Sequence, residues 1–119
     1  MARAHRKRDR LKQIHACLCA LYPTPYPTEL RIRVRPGCPV DFGGCEWLGG
    51  RRIALYVNPR YSLPVCIDTL MHEYAHALVF PHARVAGYQP DHSASWGIRY
   101  AELLEAWTDG DLDRVSWGY

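Results

Sequence analysis

No run of about 18 apolar residues occurs anywhere in this chain, so hydropathy gives no transmembrane helix. The first residues are basic, but no clean apolar stretch with a small-residue cleavage site follows them. The sequence therefore predicts no secretory signal and a cytoplasmic location. An even, regularly spaced cysteine set is also missing. Five cysteines stand at scattered positions (17, 19, 38, 45 and 66), which suits a reducing compartment better than a disulfide framework. No C-x-x-C is present, which excludes a zinc ribbon. Cys17 and Cys19, two apart, point to different faces of a helix and make a poor ligand pair. Methionine occurs only at positions 1 and 71, and lysine is scarce, 2 against 13 arginines.

What is there fits one globular domain spanning 1–119. Its 119 residues can bury a modest core without disulfide or metal, so a bound ion need not be structural. A hydrophobic content of 48% with 14 aromatic residues excludes global disorder. The net charge of +3 is unevenly spread. Residues 1–12 carry six Lys/Arg against one Asp, and residues 102–113 carry five acids and no base. The basic arm, 1–10, reads as a solvated segment able to make a weak, salt-sensitive contact with nucleic acid. The tail, 108–119, reads as a turn and a surface-docked end. Its alternating Asp109, Asp111 and Asp113 lack the glycine and final glutamate of a calcium loop.

In chain order, Leu11, Ile14, Leu18, Leu21 and Tyr22 predict a helix over 9–22, with His15 at its boundary. Pro23, Pro25 and Pro27 then impose an extended connector. Residues 29–35 alternate, with Leu30, Ile32 and Val34 on one side and Arg31, Arg33 and Arg35 on the other, which predicts a half-buried strand. Residues 40–58 predict a hairpin with arms over 45–48 and 52–57, turning at Gly49-Gly50 and stopped by Asn58-Pro59. Its second arm is expected at a sheet edge, where an extended peptide could add as a strand.

The stretch His72-Glu73-Tyr74-Ala75-His76 is H-E-x-x-H. On a helix, His72 and His76 lie one turn apart and offer two imidazoles to one cation, with Glu73 beside them. Pro64 suits the first turn of that helix and Pro81 ends it. Zinc held by three protein ligands, with a fourth position open, lowers the pKa of a bound water to about 7. Glu73 is then placed to act as general base.

A third ligand has three sources. His82 falls where H-E-x-x-H-x-x-G-x-x-H would put it, but Val79 replaces the glycine and no methionine follows for a Met-turn. Glu102 and Glu105 lie off the apolar face of the next helix, which carries Trp96, Tyr100, Leu103, Leu104 and Trp107. His92, four residues before Trp96 and just after the expected N-cap Asp91, is the preferred ligand. The predicted site is thus His72, His76 and His92 around one zinc ion per chain. Candidate donors to the substrate oxyanion are Tyr100, Tyr88, His82 and Arg99, with Tyr100 preferred.

The runs Leu55–Pro59, Asp68–Ala77 and Asp91–Trp96 together resemble the SprT-like (Spartan-type) zinc metalloproteases over roughly residues 9–107. In that family a strand ending near Asn-Pro leads to H-E-x-x-H-A, and a third histidine follows as His-Gly-x-x-aromatic. Here Ser93 stands in the glycine's place and Trp96 in the aromatic's. The resemblance implies an α+β, compact zincin (minigluzincin-like) domain. Its parts would be an N-terminal helix, a small, mainly antiparallel three-stranded sheet, the active helix, and a backing helix carrying the third histidine. It implies a zinc metalloendopeptidase that cleaves proteins, in some members proteins attached to DNA. The zinc ribbon that follows the core in many members is missing, as in the short forms common in phage genomes. The alternative is a non-enzymatic binding or structural module on the same core.

Overall fold

The computed structural model describes residues 2–80 and 93–110, with side chains from Arg6 onward. Three helices and a three-stranded sheet form an α+β fold: α1 (Ala2–Leu21), β1 (Thr28–Ile32), β2 (Gly43–Gly49), β3 (Arg52–Val57), α2 (Leu63–Leu78) and α3 (Ala94–Thr108). No described helix is long and apolar enough to cross a membrane.

Helix α1 starts earlier than the apolar stripe predicts, at Ala2 rather than residue 9. The basic segment is therefore helical from Ala2, and three of its described cations, Lys7, Arg8 and Arg10, make contacts inside the fold. Lys7 Nζ donates to the carbonyls of Pro59 and Tyr61, both at 2.9 Å. Arg8 donates to Ile32 O at 3.1 Å, and the Arg10 guanidinium lies 5.2 Å from the centre of the Trp107 ring. Carbonyls in the β1 and β3 exits thus extend the helix toward its N-terminus, a long-range effect invisible to local periodicity. Farther along α1, Leu11, Ile14, Cys17 and Leu18 are buried, while Cys19 is exposed as its position predicts.

The sheet is mixed, not mainly antiparallel. Its order is β1-β3-β2, with β1 parallel to β3 (Thr28 opposite Ile53, Ile32 opposite Val57) and β2 antiparallel to it (Gly43 opposite Val57, Trp47 opposite Ile53). The expected edge strand, β3, is the central one. The cause is compositional: Ile53-Ala54-Leu55-Tyr56-Val57 is apolar without alternation and buried throughout, which requires cover on both faces and a neighbour on both edges. β2 is an edge strand, and it approaches α2 at Gly43, opposite Thr69. The hairpin turn falls one residue later than predicted, at Gly50-Arg51. Both residues have positive φ (58° and 61°), as tight two-residue hairpins demand. The arginine row also packs internally. Arg31 donates to the Tyr56 hydroxyl at 3.0 Å, and Arg31 and Arg33 each lie 5.7 Å from that ring's centre.

Asn58 ends β3 and knots the next connection. Its side chain is almost fully buried and spends every group: Nδ2 donates to Asp41 O (2.9 Å) and Pro39 O (3.4 Å), and Oδ1 accepts from Arg60 N (3.0 Å). Its backbone N–H donates to Phe42 O at 2.8 Å. One residue therefore ties the loop before β2 to the loop before α2.

Helix α2 begins after Ser62 with proline in its first turn, as predicted, and closes at Val79 with φ −101°, outside the left-handed region. A sharp glycine-type reversal toward position 82 does not occur at that residue. Leu70, Met71 and Tyr74 are wholly buried, and the Tyr74 hydroxyl donates to Tyr22 O at 2.6 Å, joining α2 to the end of α1. Gly43 is where β2 comes closest to its neighbours. A Cβ there would stand 2.1 Å from Tyr56 O and 2.7 Å from Thr69 Cγ2. Gly43→Ala is therefore expected to cost about 3 kcal/mol and lower Tm by roughly 10 °C, read by thermal unfolding. An unchanged Tm would mean that β2 does not approach α2 this closely.

Candidate metal centre

Helical spacing on α2 places His72 and His76 one turn apart, with ring centroids 5.2 Å apart and planes crossed at 70°. Glu73 Oε2 lies 4.0 Å from His72 Nε2. One ligand atom from each of the three residues falls within 4.8 Å of the others. Among the described residues this is the single group of three or more His, Cys, Asp and Glu that converges in this way. Imidazole nitrogens and carboxylate oxygens are donor types that zinc takes, so the residues present fit a metal ion.

The three differ in burial, and the difference follows from the packing of α2. His76 and Glu73 are buried, at 4% and 8% exposure, whereas His72 stands at the surface of the cleft. Burial without a full cationic partner pushes the Glu73 carboxyl up to about 7. The Arg35 guanidinium pulls it partly back, and the Asp41 charge adds to the rise. Burial also raises the Cys45 thiol, beside Glu73, which keeps that cysteine protonated.

Helix α3 supplies the other wall. Its N-cap is Ser93, whose hydroxyl accepts from Trp96 N at 3.3 Å, not Asp91 as predicted. The helix thus begins two residues later than predicted, at Ala94, and helical spacing does not relate position 92 to Trp96. Trp96 itself meets both histidines: its Nε1 donates to His72 O at 3.1 Å, its ring centroid is 4.8 Å from that of His72, and it stacks 5.3 Å from His76. The sequence placed Trp96 on an apolar face and in the aromatic position of the resemblance; the structure adds that its indole packs against both imidazoles.

Tyr100 arrives one turn later, 5.7 Å from His72 and stacked on Trp96 at 5.1 Å. Its hydroxyl donates to Asp68. Partial burial, together with that carboxylate, pushes the phenol up to about 12, so it stays a donor. Asp68 lies one turn before His72 on the same helix face, a spacing that was legible but unused. Arg99 pairs with Glu102 at 3.1 Å, and Glu105 is exposed; neither acid joins the cluster. His82, Tyr88, Asp91, His92 and the end of the 108–119 tail lie outside the described residues.

A cleft of about 660 Å³ opens onto His72 and Glu73 between α2 and the loop that enters β2. The fold and site together define an α+β protein with a His-Glu-His cluster, set beside a solvent cleft and a sheet edge, that can hold a metal ion. No family model matches the chain, and neither the curated proteins nor the solved structures searched include a match.

Proposed function

We propose that the protein is a zinc-dependent metallopeptidase that hydrolyses peptide bonds of a protein substrate. The observation that carries this reading is the convergence of His72, Glu73 and His76 within 4.8 Å at the mouth of an open cleft. A closed structural site would instead bury all its ligands. The resemblance to SprT-like proteases supports the same reading through the motif residues.

His72 and His76 would hold the ion, with His92 as third ligand. The described chain supports that choice by bringing the start of α3, immediately after residue 92, against both imidazoles through Trp96. Zinc bound there would supply a Lewis acid and a water of lowered pKa. Glu73 would take the proton of the attacking water and pass it to the leaving amine as the C–N bond breaks. Tyr100 would turn from Asp68 to donate to the developing oxyanion. The free edge of β2 would receive an extended substrate as an added strand.

Elemental analysis of purified wild type, His92→Ala and His82→Ala tests the site. One zinc per chain is expected in the wild type, lost in His92→Ala and kept in His82→Ala. Wild-type protein prepared without chelator and free of zinc would remove the peptidase reading and leave a binding module.

A further inference from the structure

The loop entering β2 holds two apolar side chains out in solvent. Val40 is 77% exposed and Phe42 56%. Their backbone is nonetheless fixed: Asn58 bonds the carbonyls of Asp41 and Phe42, and the Tyr61 hydroxyl donates to Val40 O at 2.6 Å. The Phe42 ring also packs 4.5 Å from that of Tyr61. Apolar groups presented outward on an anchored loop mark binding sites. They line the cleft that leads to His72 and Glu73, and α2 contributes Val65 to the same cavity.

The ionisable lining residues other than His72 are all acidic. Asp41 and Asp68 are both exposed carboxylates in the cleft, and no lysine or arginine is among its lining residues. Asp68 is held in place by the Tyr100 hydroxyl. Of the cations near this end of the domain, Arg35 pairs with Glu46 (3.9 Å) while its charge also reaches Glu73, and Arg99 pairs with Glu102 (3.1 Å).

We infer that this cleft is a specificity pocket for a lysine or arginine side chain of the substrate polypeptide, its stem along Val40, Phe42 and Val65 and its cationic head at Asp41 and Asp68. Long cationic residues are the side chains that lay methylenes on an apolar wall while ending in a charge. Their heads form charge-assisted hydrogen bonds with carboxylates. A substrate glutamate would meet the carboxylates of Asp41 and Asp68 and is disfavoured by repulsion.

The inference rests on the peptidase reading, so binding and cleavage are measured separately. Three fluorescein-labelled pentapeptides of alanine carry lysine, norleucine or glutamate at the centre. They are titrated by fluorescence polarisation into zinc-loaded wild type, Asp41→Asn, Asp68→Asn and the double variant, each checked by thermal melting. The lysine peptide is expected to bind wild type at least tenfold more tightly than norleucine. Each single variant is expected to reduce that ratio and the double variant to abolish it; should the double variant not fold, the single ones decide. Equal affinity for lysine and norleucine, or no binding of any peptide, overturns the inference. Lysine-selective binding without hydrolysis removes the peptidase reading and keeps the pocket. Equal cleavage of all three peptides does the reverse.

Discussion

Glu73→Gln is expected to keep one zinc per chain and to lower peptide hydrolysis by about 10²–10⁴-fold, the usual contribution of a positioned general base. Glutamine has the same shape, so the packing around a residue only 8% exposed is preserved. The amide cannot accept the water's proton, and that loss alone reaches the rate. The paired measurements are zinc content by elemental analysis and turnover of a quenched-fluorescent protein substrate. Retained turnover would take Glu73 out of the mechanism. Loss of zinc together with turnover would make Glu73 a ligand rather than a base, a distinction worth drawing because its carboxylate lies 4.0 Å from His72 Nε2.

The second large effect concerns the metal-free protein. The Glu73 carboxyl titrates at about 7 in the folded chain against an ordinary value of 4.5, chiefly because burial penalises its charged form. Between those two values the folded state binds more protons than the unfolded state, so stability falls as pH rises. The contribution is fully present below about pH 4.5 and is lost by the time pH has passed through 7. A shift of this size corresponds to about 3 kcal/mol. In chelator, the wild type is therefore expected to lose roughly that much stability between pH 4.5 and pH 8, measured by urea unfolding. Glu73→Gln should lack that component of the slope and be the more stable protein at pH 8. If zinc binds the folded state as proposed, saturating zinc is expected to restore the wild type at that pH. Identical pH profiles for the two apoproteins would mean that Glu73 is solvated rather than buried.

Both predictions concern residues whose grouping was legible in the sequence, and the reason is locality. His72, Glu73 and His76 are neighbours on one helix, and a 3.6-residue turn brings them together whatever the rest of the chain does. The start of α2 at Ser62-Leu63-Pro64 and the hairpin over 43–57 are equally local, which explains why they were predictable to within a residue or two. The centrality of β3 had a local sign as well, in the unbroken apolar run Ile53–Val57, but alternation in the preceding strand drew attention to an antiparallel arrangement instead.

The remaining features depend on contacts between distant segments. Strand order comes from which edges of β3 are covered, and β1 covers one of them in parallel, 25 residues away in register. The length of α1 depends on Lys7 and Arg8 reaching carbonyls at 59, 61 and 32. Trp96 becomes part of the site only because α3 docks on α2 and sets an indole against two imidazoles. The cleft exists because Asn58 and Tyr61 hold the 39–42 loop beside the first turns of α2. By itself, the sequence determined the donor atoms available for a cation and the helix that spaces them, since periodicity is a property of a few consecutive residues. Only the tertiary structure decided how deeply each donor is buried, which walls face it and what charge lines its approach, because burial and field are sums over side chains that meet only after the chain has folded.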